Sequence, residues 1–282
     1  MLQLLKFPLQ MDLSLIQEKA KEIRINSLKM IHAAASGHPG GSLSIADILS
    51  VLYFGGHMKY DPKNAEYKDR DVLVVSKGHS SPAVYSALAL AGFFEIEKTL
   101  TFRQLGSPFQ GHIDRTRVPG VEMSTGSLGH GLSNALGFAL AAKLDKTPRK
   151  VFAILSDGEL QEGQSWEAMM AAAHFKASNL IAFVDRNRIQ LDGWTEETMG
   201  LNPLADKFKA FNWEVIEIDG HNPEEIDNAL NQAYKLRDGE KPIMILANTV
   251  KGKGVSFMED QVSWHGVAPK DEDLEKALVE LK

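Results

Sequence analysis

Short, unbroken apolar runs alternate along this chain with longer stretches in which apolar residues recur at helical spacing. Val72-Leu73-Val74-Val75-Ser76, Phe152-Ala153-Ile154-Leu155, Leu180-Ile181-Ala182-Phe183-Val184 and the segment from Pro242 to Val250 are bounded by turn signals, as expected of strands buried on both faces. Val215-Ile216-Glu217-Ile218-Asp219-Gly220 is a further strand closing on an Asp-Gly turn. Leu13 to Ala34 places Leu15, Ile16, Ala20, Ile23, Leu28 and Ile31 on a helical repeat that stops before Gly37-His38-Pro39, where a Gly-rich loop is expected. Ser44, with Asp47 three residues on, predicts a capped helix through Leu52. Pro82 suits a helix start, where its missing N–H is harmless. Gly126 to Gly131 opens a helix reaching about Leu144, Trp166 to Lys176 reads as a crossover helix, and Asn222-Pro223-Glu224-Glu225 starts another. Strands alternating with helices predict an α/β fold, a doubly wound, mainly parallel sheet with helices on both faces, in one domain over residues 13–282. Residues 1–12 read as a flexible N-terminal extension, and Met11 is a second candidate start.

Composition narrows the function. With 282 residues, 44% apolar and 24% charged, the chain is long enough for a full core and ordinary for a soluble globular protein. A net charge of −6 with no Lys/Arg stripe argues against nucleic acid as a partner. There is no cysteine, so a disulfide framework and a thiolate zinc site are excluded and a reducing cytoplasm is the expected compartment. No apolar run approaches a membrane span, and the apolar start from Met1 to Leu9 lacks the basic region and cleavage site of a signal peptide.

Two strand ends carry metal-binding residue types. The run ending at Leu155 delivers Ser156-Asp157-Gly158-Glu159, and the run ending at Val184 delivers Asp185-Arg186-Asn187-Arg188-Ile189. Joined by one crossover helix, both strands end on the same edge of the sheet, so Asp157 and Asn187 converge in the crevice where doubly wound folds bind ligands. A carboxylate and a carboxamide there suit a hard cation such as Mg²⁺, which completes its octahedron with water and phosphate oxygens. Taken alone, the pair leaves open a plain Asp-Gly turn without a ligand.

Four histidines, His38, His79, His112 and His265, stand in Gly-containing loops: Ser-Gly-His-Pro-Gly-Gly, Ser-Lys-Gly-His-Ser, Gln-Gly-His-Ile-Asp and Ser-Trp-His-Gly-Val. A lone histidine is more often structural than catalytic, but four in such settings point to a site. His32, His57, His174 and His221 lack that context and read as structural.

The Asp157-Gly158 and Asn187 pattern resembles the diphosphate-binding motif of thiamine diphosphate enzymes, Gly-Asp-Gly followed by Asn after one crossover, with Ser156 replacing the first glycine. Segments 36–49, 70–88, 111–112, 120–137, 156–193 and 248–269 are similar to successive blocks of the amino-terminal region of transketolases, which covers nearly all of the chain. The resemblance implies thiamine diphosphate as cofactor and a divalent ion, Mg²⁺ or Ca²⁺, held by the side chains of Asp157 and Asn187 and the carbonyl of Ile189. It implies that His79, Gly158, Asn187 and His265 lie at the cofactor diphosphate and that the backbone of Gly126 and Leu128 touches the cofactor across its bend. Lys251, in Val-Lys-Gly-Lys-Gly, would add a diphosphate contact, with a solvated loop lysine as the alternative. By the same resemblance, His38 and His265 transfer protons at the substrate and His112 bonds a donor hydroxyl. Glu162 resembles a glutamate of the acidic network that joins two active sites; a helix-start carboxylate facing the helix dipole is its alternative. Ser127 is often proline in the family and His130 often glutamine, and His130 is expected simply to start its helix.

In that family a second domain binds the aminopyrimidine ring and supplies the glutamate that activates the cofactor. The present chain stops soon after Val267-Ala268-Pro269. The resemblance therefore implies the N-terminal subunit of a split transketolase, acting with a separate C-terminal subunit that carries the pyrimidine-binding domain, in a 2+2 assembly. Its reaction would move a two-carbon ketol unit from a ketose, expected to be phosphorylated, to an aldose. The alternative is half of another two-chain thiamine diphosphate enzyme, either a 2-oxo acid dehydrogenase alpha subunit or a specialised sugar-ketol transferase. The loop histidines favour sugars, because a 2-oxo acid lacks the hydroxyls they would contact. No Gly-x-Gly-x-x-Gly follows a strand and no P-loop occurs, which makes a nicotinamide or nucleotide enzyme a weak reading. A cofactor-binding module without activity is the non-enzyme reading, and the intact ligands and histidines argue against it.

Overall fold

A computed structural model describes residues 11–191 and 193–282; of the expected N-terminal extension, residues 1–10 lie outside the described residues. The apolar runs form five strands, β1 (Val72–Val75), β2 (Val151–Ser156), β3 (Leu180–Arg186), β4 (Glu214–Asp219) and β5 (Ile243–Asn248). They make one parallel sheet in the order β1-β2-β3-β5-β4. Ser156 lies opposite Asp185, and Asp185 opposite Ala247, so β2, β3 and β5 end level with one another.

The central strands are apolar along most of their length because helices cover both faces, whereas edge strand β4 carries Glu214, Glu217 and Asp219. Leu73, Val75, Phe152, Ile154, Ile181 and Phe183 pack with residues of α1 (Leu13–Ala33), α3 (Ala46–Phe54), α4 (Ser81–Leu90) and α9 (Pro223–Leu236). Alternate strand residues, among them Val74, Ala153, Leu155, Ala182 and Val184, pack with α5 (His130–Leu144), α6 (Gly163–His174) and α8 (Leu204–Ala210). The remaining helices are α2 (Pro39–Ser44), α7 (Thr195–Thr198) and α10 (Asp271–Glu280). Asp12 caps α1 through a 3.1 Å bond from Leu15 N, and the Asn222 side chain accepts from Glu224 N and Glu225 N to cap α9. A small third cluster of Leu28, Leu43, Val255, Met258, Ala277 and Leu281 clamps the C-terminal segment onto α1 and α2, which brings Lys251 and His265 over the sheet edge.

One local expectation is corrected. Residues 39–44 are helical rather than a Gly-rich loop, and Ser44 ends α2 instead of capping the next helix. Pro39 supplies the helix start, since its fixed φ and missing N–H suit the first turn. The Ser44 hydroxyl donates to Asp185 Oδ2 at 2.8 Å, and Asp47 is drawn to Arg24 and to His221 Nδ1 at 2.7 Å. Burial raises the Asp47 carboxyl, but Arg24 and His221 outweigh it and hold the carboxyl below its ordinary value. A buried carboxylate gains more from a guanidinium than from a helix N-terminus. The four histidines expected to be structural are so placed. His221 also accepts from Val250 N at 2.8 Å, His57 bonds Asp227 at 2.8 Å, His32 bonds Asp271 at 2.8 Å, and His174 stacks edge-on against Phe175.

Candidate cofactor and active site

The carboxyl ends of β1, β2 and β3 and the loops after them surround a cavity of about 310 Å³ bounded by all four loop histidines and by Gly126, Leu128, Gly158, Glu162, Asn187, Ile189 and Lys251. Close backbone approach shapes it. A Cβ on Gly78 would lie 2.2 Å from Thr125 O, and one on Gly131 would lie 2.1 Å from Ser76 Oγ, so glycine lets the Thr125 loop and the start of α5 close on the segment after β1.

The ring of His38 lies 5.1 Å from that of His79, 6.3 Å from His112 and 5.4 Å from His265, and His79 and His265 are 5.6 Å apart. Burial, with Arg103, His112 and Lys251 nearby, lowers His38 to about 4. Burial and Lys251 lower His265 to about 3. Burial and Lys77 put His79 well below its ordinary value, and burial and Arg103 lower His112. All four are therefore neutral near pH 7, each with one N–H donor and one acceptor nitrogen; in His265 the acceptor is Nδ1, which Lys251 Nζ already meets at 2.7 Å, leaving its Nε2–H for a polyol. His38 Nδ1 is buried and, among the described residues, without a partner, so it is available to a ligand.

The metal-type residues stand beside them. Asp157 is 2% exposed and accepts from Gly158 N at 2.8 Å and from Arg188 N. Burial and then Asp185 push its carboxyl up to about 7, the condition of a carboxylate that lacks a counterion. Asn187 Oδ1 accepts from Ile189 N at 3.2 Å and its Nδ2 donates to Asp185 Oδ2 at 2.7 Å. The Ile189 carbonyl already faces a cation, accepting from Lys251 Nζ at 2.8 Å. Carboxylate, carboxamide and carbonyl make an all-oxygen donor set, which fits a hard divalent ion. Among the described residues no three His, Cys, Asp or Glu side chains form a metal cage, a different kind of site from this one.

Lys251 is 2% exposed, lowered to about 8 by burial and Lys77, and 2.7 Å from His265 Nδ1, which removes the solvated-loop alternative. Glu162 lines the cavity at the N-cap of α6 without a side-chain capping bond, and His130 begins α5 as expected. Three buried residues have no role in the sequence reading. Lys77 Nζ lies 2.5 Å from Asp185 Oδ2 and 2.8 Å from Gly41 O. Glu159 accepts from Gly129 N at 2.8 Å, Ser156 N at 3.3 Å and the Ser76 hydroxyl. Their signal was a charge abutting an apolar run buried on both faces, as in Val75-Ser76-Lys77 and Val184-Asp185.

Residues 16–281 match the family described as transketolase, thiamine diphosphate binding domain. The chain belongs to the transketolase family. It is 46% identical over 267 residues to the 6-deoxy-6-sulfo-D-fructose transketolase subunit SqwG of Clostridium sp. (strain MSTE9), covering 95% of this chain and 96% of that one. It is 39% identical to one of the subunits of the apulose-4-phosphate transketolase of Phocaeicola vulgatus, covering 96% and 95% of the two chains. The fold superposes on the transketolase of Campylobacter jejuni subsp. jejuni with a TM-score of 0.89 and 38% identity, covering 96% of this chain but 43% of that longer transketolase. The relatives of matching length are transketolase subunits, which supports the ketol reading over the 2-oxo acid alternative.

Proposed function

We propose that the chain is the N-terminal, diphosphate-binding subunit of a two-chain transketolase, moving a two-carbon ketol unit from a ketose with a terminal anion to an aldose. The convergence of four neutral imidazoles on one cavity beside Asn187 and Lys251 carries this reading. When bound, thiamine diphosphate supplies carbanion chemistry that side chains cannot. Asp157, Asn187 and the Ile189 carbonyl would hold Mg²⁺ or Ca²⁺. His79, Gly158, Asn187, Lys251 and His265 would meet the diphosphate, and Gly126 and Leu128 its bend. His38 and His265 would hold and move protons at the substrate, and His112 would orient a donor hydroxyl. Beside an anionic diphosphate the histidine pKa values would rise toward neutrality, where proton transfer is most efficient. Glu162, exposed at the cavity rim, suits a contact between sites in the acidic network.

Residues 13–282 would act as one domain, completed by a C-terminal subunit carrying the pyrimidine-binding domain in a 2+2 assembly. The names of the two relatives, a sulfo-sugar and a sugar phosphate, support an anionic ketose as donor. Among the described residues no helix is long and apolar enough to cross a membrane, and a cytoplasmic setting agrees with the absence of cysteine. The test is ketol transfer by this chain with and without the pyrimidine-binding subunit, offering xylulose 5-phosphate, 6-deoxy-6-sulfo-D-fructose or pyruvate as donor. Activity on a ketose only with both subunits is expected; full activity of this chain alone, or a preference for pyruvate, would refute the proposal.

A further inference from the structure

We infer that Asp185, held by Lys77, is a positioning residue that decides which end of the Asn187 amide faces the metal site. The inference rests on the metal reading above and adds a residue that acts through a ligand.

Alternation along the strands sets the arrangement. Leu73 and Val75, then Lys77, and Ile181 and Phe183, then Asp185, follow the face that packs on α1, α3, α4 and α9. At the carboxyl ends of β1 and β3 that apolar layer therefore gives way to a buried charge pair, both residues 0% exposed. Asp185 Oδ2 accepts from Lys77 Nζ at 2.5 Å, Asn187 Nδ2 at 2.7 Å and Ser44 Oγ at 2.8 Å, while Oδ1 accepts from Thr249 Oγ1. A carboxylate so paired only accepts. It therefore admits the NH₂ end of Asn187 and repels the oxygen end.

The other end agrees, since Asn187 Oδ1 accepts from Ile189 N at 3.2 Å. The two ends of a carboxamide are nearly equal in shape, yet only the oxygen ligates a hard cation. Asp185 supplies the discrimination that shape cannot. Lys77 extends the effect, because its donation to Gly41 O at 2.8 Å ties the start of α2, next to His38, to the same carboxylate. Partners of this kind commonly change metal affinity by about 10- to 100-fold when lost.

Mn²⁺ binding, followed by electron paramagnetic resonance with saturating thiamine diphosphate, tests this on the full chain together with any subunit that copurifies. Asn187→Asp discriminates. If position 187 stood free, a carboxylate would hold a hard cation at least as well as the carboxamide. Next to Asp185 the variant loses its donor and sets two carboxylates in contact, so binding about ten-fold weaker or worse is expected. The Asp185→Asn/Asn187→Asp double variant keeps the net charge, reverses donor and acceptor, and should recover most of the loss. Wild-type or tighter binding by Asn187→Asp, or no recovery in the double variant, overturns the inference. If circular dichroism shows Asn187→Asp unfolded, the near-isosteric Thr249→Val replaces it; several-fold weaker binding is then expected, and unchanged affinity overturns the inference. Wild-type protein that binds no Mn²⁺ overturns the metal reading itself.

Discussion

Asp157 is buried with two backbone donors and, among the described residues, no ion pair, and burial with Asp185 nearby outweighs Lys251 and moves its carboxyl from 3.8 to about 7. Because the folded-state value exceeds the unfolded one, the folded protein binds this proton more tightly. Stability from the group is complete below pH 3.8 and is lost as the pH rises through about 7. At about 1.4 kcal/mol per pH unit, the interval is worth at most about 4 kcal/mol, a large share of the roughly 5–15 kcal/mol that holds a typical domain folded. The carboxamide of Asp157→Asn has no proton to lose. At pH 8 the metal-free variant should therefore be more stable than wild type, by up to about 4 kcal/mol. At pH 5, about one unit above the unfolded value, the wild type has lost only about 2 kcal/mol, so the difference should shrink to about that size; its protonated carboxyl, like the amide, offers one donor and one acceptor. Urea denaturation in EDTA from pH 5 to 8.5 measures the difference, and other titrating groups cancel between the two proteins. Adding Mg²⁺ and thiamine diphosphate should reverse the order, because the ionised carboxyl then has its counterion. Parallel stability curves across this range would refute the reasoning.

Glu159→Ala leaves the Gly129 and Ser156 amides and the Ser76 hydroxyl without an acceptor, and at about 1–3 kcal/mol each should cost about 3 kcal/mol or more in urea unfolding. Glu159→Gln keeps one oxygen and should cost clearly less; equal losses would contradict the hydrogen-bond account. Gly78→Ala forces a Cβ to 2.2 Å from Thr125 O, so a loss of about 2 kcal/mol and weaker thiamine diphosphate binding by calorimetry are expected. A wild-type melting curve would show that the loops yield freely. His112→Ala should lower kcat/KM about 100-fold with cofactor affinity unchanged, whereas His79→Ala should weaken the cofactor first; the reverse pattern would exchange their roles.

Much of the fold was legible because the relevant signals are local. Val72–Val75 and Leu180–Val184 can only be strands buried on both faces, and one crossover helix after β2 suffices to put Asp157 and Asn187 on the same sheet edge. Ser44 shows where local reading stops. Its spacing to Asp47 is that of a capping box, but Arg24 and His221 claim the carboxylate and Asp185 claims the hydroxyl. Lys251 shows the same limit, since a lysine in a Lys-Gly-Lys-Gly loop looks solvated until Val255 and Met258 dock its segment against Leu28 and Leu43.

By itself, then, the amino-acid sequence determined the strands, most helix ends, the placing of Asp157 and Asn187 at one sheet edge and the set of loop histidines. Each depends on residues close in the chain or on the period of a single element. Only the tertiary structure decided that His38, His79, His112 and His265 share one cavity, that Lys251 is buried among them, and that Lys77 and Asp185 pair behind Asn187. Those facts depend on how separate loops and strand ends pack, and burial among distant neighbours is what holds the histidines neutral, raises Asp157 and orients the amide.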